Sequence, residues 1–301
     1  MPNPYSYGPT VTNPDMFFGR ETELETLCTR LRNMQSTSVV GLRRIGKSSL
    51  LYRMSQTLQD KLGERYVPLY IDLQDARFRT VASFVQTITG ELNTQMGGIL
   101  TVSDVTDMSS FSKMLERLDR TDIRPVLYLD EFEEFMQHHE EFNDKFLEAL
   151  RALGGRSRLA MVTASRMPLA DLIRTRGLTS PFYNIFSQIE LELLEPDAAQ
   201  ALRRAPFERE EIAFSPEDEA LVEELGGRHP FYLQMACHYL YEALIQSQGV
   251  QADEVRERFD HDAEPHFEQL WDHLETNEKA ALRVAVGQAI PTNETESMLR
   301  R

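Results

Sequence analysis

Five short apolar runs punctuate the first two-thirds of the chain, at 38–40, 66–73, 126–130, 159–164 and 188–193. They are near-continuous in hydrophobic and β-branched residues, as in Val126-Leu127-Tyr128-Leu129 and Leu159-Ala160-Met161-Val162. That pattern predicts strands buried on both faces. Between them, apolar residues recur every three or four positions, predicting helices over 22–34, 47–61, 81–96, 111–119, 142–153 and 169–175. Alternating strands and helices argue for a parallel sheet sandwiched between helical layers, the α/β three-layer class.

After Glu195-Pro196 the strand pattern stops. Helices are expected over 198–205, 216–225 and 231–246. Gly226-Gly227 ends one of them and Pro230 opens the next. A further helical stretch begins near His266 and breaks at 288–291, where Pro291-Thr292-Asn293-Glu294 resembles a new helix start. At the other end, Pro2, Pro4, Pro9 and Pro14 exclude a helix over the first fifteen residues. The organisation expected is an extended leader (1–15), an α/β domain (16–195), a helical lid (196–260) and an incomplete last domain (261–301).

One loop carries the chemistry. Gly41-Leu42-Arg43-Arg44-Ile45-Gly46-Lys47-Ser48-Ser49 fits G-x-x-x-x-G-K-S/T at every fixed position, between a strand and a helix. Its glycines let successive N–H groups face an anion, and the following helix adds its partial positive charge. Lys47 is placed to reach β- and γ-phosphates, and Ser48 to offer a hydroxyl to Mg²⁺. About 80 residues on, Asp130-Glu131 closes an apolar strand. Asp130 is expected to hold Mg²⁺ opposite Ser48, and Glu131 to orient the attacking water and take its proton. Ser165 and Arg166, at another strand end, are candidates to sense the γ-phosphate, the arginine by its charge. His138-His139 lacks the i, i+4 spacing of a helical zinc pair, so the run 133–141 reads as solvated surface.

Charge narrows the class. The net charge of -16, from 32 basic and 48 acidic residues, argues against a broad grip on nucleic acid. Two cysteines, Cys28 and Cys237, give no disulfide framework. With no apolar run of spanning length and no signal-peptide pattern, a cytoplasmic location is expected.

Phe17-Phe18-Gly19-Arg20-Glu21, the phosphate loop, Leu127-Tyr128-Leu129-Asp130-Glu131, Val162-Thr163-Ala164-Ser165-Arg166 and Gly227-Arg228-His229-Pro230 together resemble the STAND class of P-loop ATPases, in its prokaryotic AAA-like group. The resemblance implies Phe18, Gly19, Arg20, Pro230 and His229 beside the base. It implies Arg43, Arg44, Ile45 and Ser49 with the loop's other residues at the phosphates. It also implies a slow ATPase switch using ATP/ADP and Mg²⁺, closed with ADP and oligomerising with ATP. Such proteins act in signalling, antiviral defence or regulation, and carry a winged helix, whose start the segment 261–301 resembles, and sensor or effector modules, expected beyond residue 301. Two readings stay open beside it: a DNA-handling AAA-type ATPase, and a scaffold that holds nucleotide without turnover.

Overall fold

A computed structural model describes residues 3–98, 104–246, 252–274 and 276–286. The expected helix start at 291–294 and the end of the last segment lie outside them.

Five strands form one parallel sheet: β1 (Ser36–Gly41), β2 (Tyr66–Asp72), β3 (Arg124–Asp130), β4 (Ala160–Ser165) and β5 (Phe186–Leu191). Their spatial order is β2-β3-β4-β1-β5. The chain therefore leaves β1 for one edge of the sheet and leaves β4 for the other. That reversal opens a crevice at the carboxyl ends of β1 and β4, where ligands bind in such sheets. Register brings Asp72 opposite Asp130, and Val40 opposite Ser165.

Helices cover both faces. α1 (Glu21–Arg32) and α2 (Lys47–Leu62) put Leu27, Leu31, Leu50, Leu51, Met54 and Leu58 against Val39, Val126, Tyr128 and Val162. On the other face lie α3 (Val81–Gln95), α4 (Met108–Arg120), α5 (Glu133–Gln137), α6 (Asp144–Gly155) and α7 (Leu169–Thr175). Their Phe84, Phe111, Phe135 and Phe146 join Leu69, Leu127 and Met161 in a second core. Alternate strand residues feed the two cores, as a period of two requires. α4 begins three residues earlier than its apolar spacing suggests, because Asp107 and Ser110 form a reciprocal capping box.

The helical domain comprises α8 (Pro196–Arg209), α9 (Pro216–Gly226), α10 (Pro230–Gln246) and α11 (Ala252–His273), with α12 (Thr276–Ala285) following. α10 is buried along most of its length and holds this third core together. α11 runs unbroken through 260–261, where the sequence suggested a division. Val255, Phe259 and Ala263 on either side of that point pack into the same core.

Two expectations need correction. The run 133–141 is not simply solvated surface: it contains α5, whose Phe135 and Met136 are fully buried. The two acids of α5 face cations, Glu134 pairing with Arg79 at 3.5 Å and Glu133 with Arg166 at 3.9 Å, while Glu140 and Glu141 are exposed. The leader is irregular, as its prolines require, apart from a single 3₁₀ turn at Pro14–Met16. It is nevertheless built into the fold, with Tyr5 only 1% exposed inside the helical core. Both cysteines are free. Among the described residues, no helix is long and apolar enough to cross a membrane.

Candidate functional site

The crevice at the sheet's carboxyl edge holds a cavity of about 600 Å³. It is walled by the phosphate loop, the ends of β2 and β3, the leader from Ser6 to Thr12, the segment from Met16 to Phe18 with Arg20, Leu194 and Leu202, and the first turns of α10. The loop's shape follows from its residues. Arg44 has φ 62 and Gly46 φ 102, so the backbone turns in the left-handed region twice before α2 begins. A side chain at position 46 would be strained there. Gly41 is needed for another reason: a Cβ would stand 2.8 Å from the carbonyl oxygen of Leu191 on β5.

Lys47 is 7% exposed, and its Nζ donates to the carbonyls of Gly41 and Leu42, each at 2.9 Å. Burial pulls its pKa down, while Glu131, Glu133 and Asp130 oppose that pull. The lysine thus sits within the electrostatic reach of all three acids. Asp130, 4% exposed, accepts from the Tyr70 hydroxyl at 2.6 Å and from the Ser48 hydroxyl. Burial raises its pKa; those two hydrogen bonds work the other way. Glu131 has φ 50, in the left-handed region that a non-glycine residue seldom adopts. Its pKa is also raised, first by burial and then by the charges of Glu133 and Asp130. Arg166 lies 3.8 Å from Glu131 and 3.9 Å from Glu133, so the strand-end cation and the acids are in one group.

The expected nucleotide residues divide into those lining the cavity and those behind it. Phe18, Arg20, Arg43, Arg44, Ile45, Gly46, Lys47, Ser48, Ser49, Asp130, Glu131 and Pro230 line it. Gly19, Gly41, His229 and Arg166 do not. Gly19 lies against Ala198 of α8. The Arg20 guanidinium is spent on the protein: it donates to the carbonyls of Glu192 at 2.6 Å and Ile45 at 3.3 Å, and pairs with Glu23. It fastens the turn before α1 to the phosphate loop and β5. His229 is half-buried, its Nδ1 sealed from solvent and unpartnered, and its ring also bonds the Arg43 backbone. Burial lowers its pKa to about 4, so it is neutral at ordinary pH.

Three contacts tie the phosphate loop to the helical domain. Besides His229, Arg44 stacks over Phe231 of α10, and Arg43 donates to Gln269 of α11. The leader adds a fourth tie. Val11 N–H donates to Ser49 Oγ at 3.0 Å, and Tyr7 bonds both Tyr239 and Asp262 at 2.8 Å. Tyr5 donates to the Arg203 carbonyl at 2.8 Å. Sequence reading missed the leader, Tyr70 and Gln234 as cavity residues. Tyr5-Ser6-Tyr7 among prolines was the available signal: aromatic residues in a segment unable to fold alone need a surface to lie on.

Among the described residues, no three His, Cys, Asp or Glu groups cluster as a metal cage. Ser48 with Asp130 fits a different ion. Mg²⁺ is commonly held by one or two protein oxygens, with phosphates and water completing its shell.

Residues 30–291 match the family model described as novel STAND NTPase 2. No curated protein matches the sequence. Among solved structures, the Walker-type ATPase of Pyrococcus abyssi superposes with a TM-score of 0.67 at 16% identity, covering 96% of this chain and 90% of that one. The ORC2 protein of Aeropyrum pernix, solved as ADPNP-ADP complexes, gives 0.64 at 15% identity, covering 93% and 78%. Cdc6p of Pyrobaculum aerophilum gives 0.55 at 16%, covering 97% and 81%. At these identities the structural likeness speaks for the fold.

Proposed function

The chain belongs to the novel STAND NTPase 2 family, and from that premise we propose that it is an ATP-binding switch that hydrolyses its nucleotide slowly. One observation carries the reading: Lys47, Ser48, Asp130, Glu131 and Arg166 converge on one sheet edge although they lie on three separate strand ends. Lys47 donates to its own loop's carbonyls. Phosphate oxygens are stronger acceptors for a buried ammonium and would take their place. Ser48 and Asp130 are the residues to hold Mg²⁺, which supplies charge neutralisation at the phosphates when bound. Glu131 accepts the proton of the attacking water, and its raised pKa brings its basicity nearer to that of a general base. Arg166 has two acids as its present partners, and a γ-phosphate offers it a stronger one.

The switch rests on the ties between loop and lid. Arg43 and Arg44 belong to the phosphate loop, yet both are engaged with lid helices. An anion entering the loop competes for the same guanidinium groups, so nucleotide state and lid position are coupled. Only a difference in contact between the two states shifts the balance. Opening would free lid surface for association between copies in the ATP state. We assign this movement to signal transduction, in defence or regulation, on the family's character.

The test is direct. Lys47→Ala should abolish ATP and ADP binding in calorimetry, while Glu131→Gln should keep binding and stop phosphate release. Unchanged tight binding by the lysine variant would falsify the assignment. Light scattering of the Glu131→Gln protein with ATP should show a larger species than with ADP; identical masses would remove the oligomerisation step.

A further inference from the structure

Gln234 is a buried polar side chain without a partner. It is 7% exposed and lines the cavity, yet no hydrogen bond engages its carboxamide among the described residues. Its amide atoms are not among those sealed from solvent without a partner, so they open onto the cavity, where a bound molecule can reach them.

Its surroundings say which kind. Gln234 stands one turn along α10 from Pro230 and Phe231, so the three share a face. Leu202 of α8 is the other lid residue on the cavity wall, with Leu194, Met16 and Phe18 lining it as well. Among these lid residues only Gln234 offers side-chain hydrogen bonds. An apolar wall with one oriented polar group is how a protein holds a flat, largely apolar ring and reads one edge of it.

We propose that Gln234 is the residue that reads the base of the bound nucleotide, and that it selects a 6-aminopurine. The inference rests on the nucleotide-switch reading above and adds the identity of the base-reading group. A carboxamide carries one acceptor oxygen and one donor nitrogen side by side. Adenine presents the complementary pair, its 6-amino donor next to a ring-nitrogen acceptor, and glutamine meets that pair with two bonds. Guanine presents two acceptors on one edge, or one acceptor and two donors on the other. A single carboxamide leaves one guanine group unserved against an apolar wall, which is how a site rejects an otherwise similar ligand.

Calorimetry on the full chain tests this with ATP, GTP and purine riboside triphosphate, which lacks only the 6-amino group of ATP. The unaltered protein should bind ATP about tenfold more tightly than either of the others. Gln234→Met, nearly isosteric, should weaken ATP about tenfold and purine riboside triphosphate far less, so that the preference collapses. Equal losses for both nucleotides would make Gln234 a packing residue and overturn the proposal; so would an unchanged ATP affinity. If the methionine variant does not fold, the unaltered chain decides: equal affinity for ATP and purine riboside triphosphate overturns base reading. Failure of the unaltered chain to bind any of the three removes the nucleotide-switch reading itself, which is a separate result.

Discussion

The guanidinium of Arg44 lies 4.1 Å from the centre of the Phe231 ring. One belongs to the phosphate loop and the other to the first turn of α10, so this contact spans the line between α/β domain and lid. A cation over an aromatic face is worth about 0.5–2 kcal/mol, depending on its desolvation. Arg44→Ala should therefore raise amide hydrogen exchange along residues 230–246 in the nucleotide-free protein by a few-fold to tenfold or more. Exchange unchanged in α10 would mean the lid is held without it.

The acidic side of the hydrolysis profile should be displaced. Glu131 must be ionised to take a proton from water, and burial with two neighbouring acids raises its pKa. Activity should accordingly rise with pH through a midpoint above the ordinary carboxylate range. A rate that stays flat from well below neutral pH upward would argue that another group accepts the proton.

Acid should loosen the lid through His229. Its pKa falls from 6.5 to about 4 on burial, so the folded form resists a proton that the unfolded chain accepts. Stability is fully present above about 6.5 and is lost as pH falls through that window towards 4, by up to about 3 kcal/mol. His229→Leu should flatten this part of the stability–pH curve in urea melts, whatever it does to stability at neutral pH. A variant curve parallel to that of the parent protein would place the acid sensitivity elsewhere.

The leader should prove structural. Tyr5 is fully buried among Phe207, Tyr241 and Leu202, and its hydroxyl serves the Arg203 carbonyl. Tyr5→Ala should cost about 3–5 kcal/mol and Tyr5→Phe about 1 kcal/mol, measured by denaturant unfolding. Losses below half a kcal/mol for both would show the leader to be dispensable for the lid.

β3 and β4 were legible because burial on both faces writes an unbroken apolar run, whereas the edge strand β5, with Ser187, Gln188 and Glu190 exposed, is not buried on both faces as its run suggested. The lysine and serine were legible because the phosphate loop ties residue type to backbone shape within nine positions, and the acids because Asp130-Glu131 closes an apolar strand. What escaped lies in long-range packing. Nothing local to Tyr5 or Tyr7 announces a partner some 200 or more positions away. The α5 helix escaped because five residues hold too little periodicity to register beside four acids and two histidines. Gln234 sits in an apolar helix, where a lone amide looks the same whether it faces solvent or a ligand. Arg20 was expected beside the base, and it does line the cavity. Its hydrogen bonds, however, go to two carbonyls that only the folded loop and β5 bring within reach.

Tyr5 precedes Arg203 by 198 positions and needs it. During synthesis on the ribosome its socket does not yet exist, and the α/β core can assemble while that ring is still without a home. Seating the ring is thus a late event in biogenesis, and a nascent chain halted before α10 would carry an unsatisfied aromatic segment open to chaperones.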